Sequence, residues 1–251
     1  MKSFLSGVDK KYLNGTVRRV FGQFYLSRVN KESGRSYTVH YTKNPDSELS
    51  GLCDLYGSDK GELVSSGNPY IWPSHTYADF YEEIFRHCRN DIRRVFECGI
   101  GQGDTGLPLD QGVDGYPGAS LRVWKDYFPN AMIYGADIDK EVLFQEERIN
   151  TFFVDQTSDV FIREMWGNIA ADNFDIIIDD GLHTFEAGIC LLENSINNLA
   201  AEGVYIIEDV KIRDVLKYRE YFRAKNYEVQ YVNLFSAELP VFDNSLIVIR
   251  K

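Results

Sequence analysis

The feature that most constrains this chain is a regular alternation beginning near residue 94. Short apolar runs that end in glycine or acid ("RRVFECGIG", "AMIYGADID", "INTFFVDQ", "FDIIIDDG", "GVYIIEDV") are separated by segments with helical spacing ("PGASLRVWKDYF", "SDVFIREMWGNIA", "FEAGICLLENSINNLA", "RDVLKYREYFRAKN"). Continuously apolar strands need cover on both faces, and helices between them supply it, so the pattern predicts a parallel, doubly wound α/β sheet. The last two runs, "YEVQYVNLF" and "SLIVIRK", have no helix between them and are expected to pair antiparallel at one edge. The expected fold is a mostly parallel, seven-stranded, Rossmann-like sheet over residues 51–251 with an antiparallel last strand. Residues 1–50 read as an N-terminal extension for packing, self-association or covering a substrate pocket. Within it "TVRRVFGQFYLSRV" fits helix or strands, and "SYTVHYT" is the strand-like piece of a hairpin or loops.

Doubly wound sheets bind ligands outside the carboxyl ends of their strands. The polar signatures here fall at those ends: Glu97 to Gly101, Asp137 and Asp139, Asp155 and Gln156, Asp179 and Asp180, Glu208 and Asp209. They are expected to converge on one rim, although each acid taken alone also fits a solvated strand end. Gly99, Gly101 and Gly103 allow a tight turn and close approach of backbone to a ligand. Their GxGxG spacing, and the long loop 102–118 that follows, depart from the dinucleotide fingerprint and disfavour NAD or FAD. A purely structural glycine turn is the alternative. Asp137 is placed to accept ribose hydroxyls, and Asp155 and Gln156 to meet an adenine edge. Together they outline a nucleoside pocket without a phosphate clamp, which suits S-adenosylmethionine.

Charge narrows the partners. A net charge of −11 over 251 residues argues against nucleic acid or an anionic membrane as the main partner. The cysteines, Cys53, Cys88, Cys98 and Cys190, form neither a disulfide framework nor a zinc motif. No apolar run approaches a membrane span, and the N-terminus lacks a signal-peptide apolar region, so a cytoplasmic protein is expected.

Several spaced motifs carry a resemblance: "LCDLYGSDKG", "SHTYADFYEEIF", "GASLRVWKDYFPNAMIYGADID", "DQ", "IIIDDGLH" and "VYIIEDV". In this order they resemble class I S-adenosylmethionine-dependent methyltransferases, and more narrowly the metal-dependent sugar O-methyltransferases of macrolide tailoring and their polysaccharide relatives. The resemblance implies an O-methyltransferase acting on a sugar hydroxyl, with S-adenosylmethionine and a divalent cation, usually Mg²⁺, as cofactors. The implied metal ligands are Asp180, Glu208 and Asp209, and the implied general base is His183. Independently, three carboxylates on adjacent strand tips would repel one another without a cation or protons between them, and hard oxygen ligands suit Mg²⁺ or Ca²⁺. The alternatives are acids facing bulk water and a histidine capping the next helix. Leu182 stands where the family usually has serine.

Asp59, Lys60 and His75 are expected to close over the cofactor, or to form a salt-bridged surface turn. Ser120 and Arg122 begin the helix after the long loop, where Arg122 pairs with the methionine carboxylate or with a neighbouring acid. Trp124 and Tyr127 read as core. The aromatic stretch "YIWPSHTYADFYEEIF" reads as a helix packed on the sheet, with Tyr70 or Trp72 as minority candidates for stacking on a sugar. A homo-oligomer is expected by analogy. The competing classes are methylation of a phosphorylated or phenolic metabolite, a nicotinamide-dependent oxidoreductase, and a non-catalytic scaffold.

Overall fold

The computed structural model describes residues 36–40, 44, 46–64, 70, 73–101, 117–235 and 243–251. The expectations for residues 1–35, for loop 102–116 and for Trp72 lie outside the described residues. The strands are β1 (Ser36–His40), β2 (Arg94–Cys98), β3 (Met132–Asp137), β4 (Gln145–Glu146), β5 (Ile149–Phe153), β6 (Phe174–Asp179), β7 (Leu199–Ile207), β8 (Glu228–Phe235) and β9 (Ser245–Arg250). The helices are α1 (Glu48–Tyr56), α2 (Tyr77–Phe85), α3 (Ala119–Tyr127), α4 (Asp159–Ile169), α5 (Phe185–Ser195) and α6 (Ile212–Phe222).

All nine strands form one sheet in the order β1-β8-β9-β7-β6-β2-β3-β5-β4. The expected seven strands run from β8 to β5, with β9 antiparallel to both β7 and β8. The antiparallel pair does not form the edge as expected. β9 lies inside, between β7 and β8, and β1 adds outside β8 in parallel. Burial explains the placement: Leu246, Ile247, Val248 and Ile249 are all buried, and only an interior strand is covered on both faces. The strand-like "SYTVH" pairs in parallel with β8, so it belongs to the sheet although it precedes residue 51.

Side-chain alternation splits the core into two layers. Val95, Ile176 and Ile178 face the cluster formed with Leu49, Tyr81, Trp124 and Phe128 from α1 to α3 and their flanks. Phe96 and Ile177 face the cluster with Trp166, Leu191, Tyr218 and Phe222 from α4 to α6. Trp124 and Tyr127 are fully buried, as their core reading requires.

Register then sets the site. Cys98 pairs with Asp179, Asp179 with Ile207, and Cys98 with Ala136. The next residue on each strand therefore falls into one row: Gly99, Asp180, Glu208 and Asp137. Acids that are far apart in the chain become neighbours because parallel strands end together.

Candidate functional site

The turn after β2 can be made only by glycine at position 99. Its φ is +88°, and a Cβ there would sit 2.1 Å from the Asp180 carbonyl oxygen. The next two amides, of Ile100 and Gly101, both donate to Asp137 Oδ2 at 2.9 Å. Asp137 Oδ1 accepts the Asp139 amide at 2.9 Å. Asp137 thus ties the glycine turn to β3, and it also lines the cavity above the strand ends.

That cavity measures about 730 Å³, within the usual range for small-molecule sites. Asp59, His75, Gly99, Gly101, Asp137, Asp155, Gln156, Asp180, His183, Glu208 and Asp209 all line it, so the rim expected from the strand ends is present. Leu182 also lines it, largely exposed, and donates its amide to Gln156 Oε1 at 2.8 Å. Gln156 Nε2 donates to Asp179 Oδ1 at 2.6 Å. Both ends of this amide therefore hold the Asp-Asp-Gly turn, rather than presenting an unengaged edge to an adenine. Asp155 accepts from the amide and hydroxyl of Thr157 at 2.9 and 2.7 Å.

Four expected cofactor residues stand elsewhere. Asp179 is buried on the α5–α6 side, because adjacent strand residues face opposite ways, and burial pushes its carboxyl up to about 6. Glu97 is fully buried beneath the rim, where Ser120 Oγ and Trp124 Nε1 donate to its Oε2 at 2.8 and 2.9 Å. Ser120 is thereby committed to Glu97. Arg122 takes the neighbouring-acid alternative: it pairs with Glu146, donates to the Pro117 carbonyl at 2.8 Å and stacks over Phe144.

Lys60 lines the same cavity, as expected, but its ammonium is engaged by the acids. It is buried, and its Nζ lies 3.0 Å from Glu97 Oε1, 2.6 Å from Asp180 Oδ2 and 2.5 Å from Glu208 Oε2. It donates to Asp180 Oδ2 and Glu208 Oε2 and pairs with Glu97 Oε1, so its charge is taken up by the acids. The surface-turn alternative is excluded by its burial.

His183 and Asp209 complete the cluster. His183 Nδ1 is 3.3 Å from Asp209 Oδ2, and its Nε2 is 3.4 Å from Asp180 Oδ1. The helix-capping alternative for His183 fails, since the α5 N-cap is Thr184, whose side chain accepts the Ala187 amide. Asp209 Oδ1 receives the Tyr77 hydroxyl at 2.6 Å, and Tyr81 donates to Glu208 Oε1 at 2.5 Å. These two tyrosines, which the aromatic pattern of the helix assigns to packing, contact two of the rim acids directly. Their signal was available: tyrosines at i and i+4 share one helix face, and a buried hydroxyl needs a partner.

The electrostatics match a cation site. Burial pushes Glu208 well above its ordinary value and also raises Glu97 and Asp209, with Lys60 opposing it at the two glutamates and His75 and His183 opposing it at Asp209. At Asp180 burial is overcome by Lys60 and His183, which hold the carboxyl below the usual range. Burial alone would depress His183, yet the carboxylates of Asp180 and Asp209 outweigh it and raise the imidazole to about 10. Ligand atoms of Asp180, His183 and Asp209 lie within 4.8 Å of one another and remain partly exposed. Two hard carboxylates that open toward a cavity are oxygen ligands of the kind a divalent cation takes. Of the three expected ligands, Asp180 and Asp209 belong to this group. Glu208 is not grouped with them, because Lys60 and Tyr81 hold both of its oxygens.

No family model matches the chain. It is 31% identical over 163 residues to the 8-demethyl-8-alpha-L-rhamnosyl tetracenomycin-C 2'-O-methyltransferase of Streptomyces olivaceus, covering 65% of this chain and 38% of that protein. It is 33% identical over 159 residues to the demethylmacrocin O-methyltransferase of Streptomyces fradiae, covering 63% and 38%. Among solved structures it resembles the MycE methyltransferase from the mycinamycin biosynthetic pathway in complex with Mg, SAH and mycinamycin VI. There the identity is 30% and the TM-score 0.50, with 66% of this chain and 40% of that chain covered. A MycE complex with Mg and SAH superposes over 96% of this chain and 63% of that one, at 23% identity and TM-score 0.56. The chain spans 38% of the length of the two curated relatives. It has the Rossmann-like class I methyltransferase fold and resembles the sugar O-methyltransferases in sequence. Among the described residues no helix is long and apolar enough to cross a membrane.

Proposed function

We propose that this chain is an S-adenosylmethionine- and divalent-cation-dependent O-methyltransferase whose acceptor is a sugar hydroxyl. The observation that carries the reading is the Asp180–His183–Asp209 cluster opening into the strand-end cavity. S-Adenosylmethionine would lie over Gly99 and Gly101, with Asp137 and Asp155 along its nucleoside. Asp180 and Asp209 would hold the cation, which supplies positive charge beside the acceptor oxygen. His183 is the proton acceptor. Asp209, 3.3 Å from Nδ1, orients the ring and favours the tautomer that carries its proton on that atom. Nε2, which has no hydrogen-bond partner although it lies 3.4 Å from Asp180 Oδ1, is the nitrogen left to take the acceptor proton. An imidazole raised to about 10 is protonated at neutral pH, so the two carboxylates need another counter-charge before His183 can work as a base.

Two features favour this reading over a nicotinamide oxidoreductase. The antiparallel β9 interrupts the all-parallel order of dinucleotide folds, and the glycine turn lacks the fingerprint spacing. The test is incubation with isotopically labelled S-adenosylmethionine and panels of nucleotide sugars, glycosides and glycans, followed by mass spectrometry. Label in a sugar only with a divalent cation present supports the proposal. Label confined to phenolic or phosphorylated metabolites would move the acceptor class, and stabilisation by NAD(H) instead of S-adenosylhomocysteine would overturn the enzyme class.

A further inference from the structure

We infer that Lys60 is a resident counter-cation of the carboxylate cluster, holding the place of a second metal ion and leaving room for one exchangeable cation. This deepens the cation site just proposed and rests on that reading for the exchangeable ion. The Lys60 cage is built from three strand ends: Glu97 on β2, Asp180 after β6 and Glu208 after β7. Each glutamate has its other oxygen satisfied from the opposite side, Glu97 by Ser120 and Trp124 and Glu208 by Tyr81. One inward direction remains on each, and all of these inward directions meet at Lys60 Nζ.

The lysine backbone is fixed as well. The Ala78 amide donates to the Lys60 carbonyl at 2.9 Å, and the His75 amide to the Asp59 carbonyl at 2.7 Å. The segment that delivers the ammonium is thus joined to α2, which also delivers the Tyr77 and Tyr81 hydroxyls. Asp180 is the shared member: Oδ2 faces Lys60, while Oδ1 faces His183 and the open cluster. Two cation places therefore meet at one carboxylate. The inner one is filled by a side chain, because two buried glutamates beside Asp180 require a charge that cannot dissociate. Lys60 is a positioning residue: it reaches the open cluster only through Asp180 Oδ2, while its charge is held among the three carboxylates.

The experiment uses Mn²⁺ as the probe, on the wild-type chain, Lys60→Ala and Lys60→Ala/Glu97→Gln. Metal stoichiometry is read by calorimetry, and melting temperature with Mn²⁺ and with EDTA. Wild type is expected to bind one ion. Lys60→Ala is expected to bind two, and to melt about 10 °C lower in EDTA, with most of the loss recovered by Mn²⁺. Ethylammonium, but not equal KCl, should raise its melting temperature in EDTA. If Lys60→Ala fails to fold, the double variant, which removes one buried acid together with the cation, should be soluble; failure of both overturns the inference. A single Mn²⁺ in Lys60→Ala with an unchanged melting temperature overturns it too, while leaving the cation site intact. No Mn²⁺ bound to wild type would instead sink the cation-site reading, and the EDTA and ethylammonium measurements would still decide the role of Lys60.

Discussion

His183 Nδ1 faces Asp209 Oδ2 across 3.3 Å, and both residues hold left-handed backbone, with φ of 54° and 52°. Non-glycine residues in this region are uncommon and concentrate where surrounding structure overrides local preference. Here the two turns after β6 and β7 are bent toward each other, so that His183 and Asp209 meet over the strand ends. His183→Ala should lower turnover by about 10³-fold while S-adenosylhomocysteine affinity stays within about twofold. Kinetics paired with calorimetry checks this; loss of both would assign His183 to structure instead.

Tyr77 supports Asp209 from below. Its hydroxyl donates to Oδ1 at 2.6 Å and accepts the Asp209 amide at 3.2 Å. Tyr77→Phe leaves a buried amide and carboxylate short of partners, and should weaken cation affinity by about 10-fold or more. Calorimetric titration with Mg²⁺ or Mn²⁺ measures it. An unchanged affinity would show that Asp209 keeps its position without the tyrosine.

Removing the metal is the direct test of the site's purpose. EDTA should abolish methyl transfer, and added Mg²⁺ should restore it. Transfer that continues at full rate in EDTA would leave the Asp180–His183–Asp209 cluster without the role proposed for it.

Asp179 gives a pH signature in the metal-free protein. Burial raises its carboxyl from 3.8 to about 6, so between these values the folded chain binds more protons than the unfolded one. The ionised form therefore penalises folding above pH 6, and the penalty is relieved as pH falls toward 4. Asp179→Asn should stabilise the protein at pH 7.5 by up to ~3 kcal/mol, an advantage that vanishes near pH 4. Urea unfolding in EDTA at both pH values decides this, and equal stability at pH 7.5 would refute the burial argument.

Gly99→Ala should be far more damaging than a glycine-to-alanine change elsewhere on the surface. The added Cβ would meet the Asp180 carbonyl at 2.1 Å, on a backbone with φ of +88°. A loss of about 2–4 kcal/mol together with weakened S-adenosylhomocysteine binding is expected. Thermal melting with and without that ligand reads both effects.

The sequence alone determined the doubly wound sheet, the glycine turn and the rim of acids, because each is written in local pattern. Uniformly apolar runs specify covered strands, and parallel strands that end in acids must bring those acids together. Asp180, His183 and Asp209 were legible for that reason. Only the tertiary structure decided which acids face the cavity and which are consumed inside. Glu97 and Asp179 point away from the cavity through strand alternation whose phase depends on packing. Lys60 enters the acids, and Tyr77 and Tyr81 support them, through contacts spanning 120 to 148 positions, beyond any local period. The position of β1 beside β8 is of the same kind. A five-residue strand specifies that it will pair, while its partner is chosen by the edge left open when the rest of the sheet has assembled.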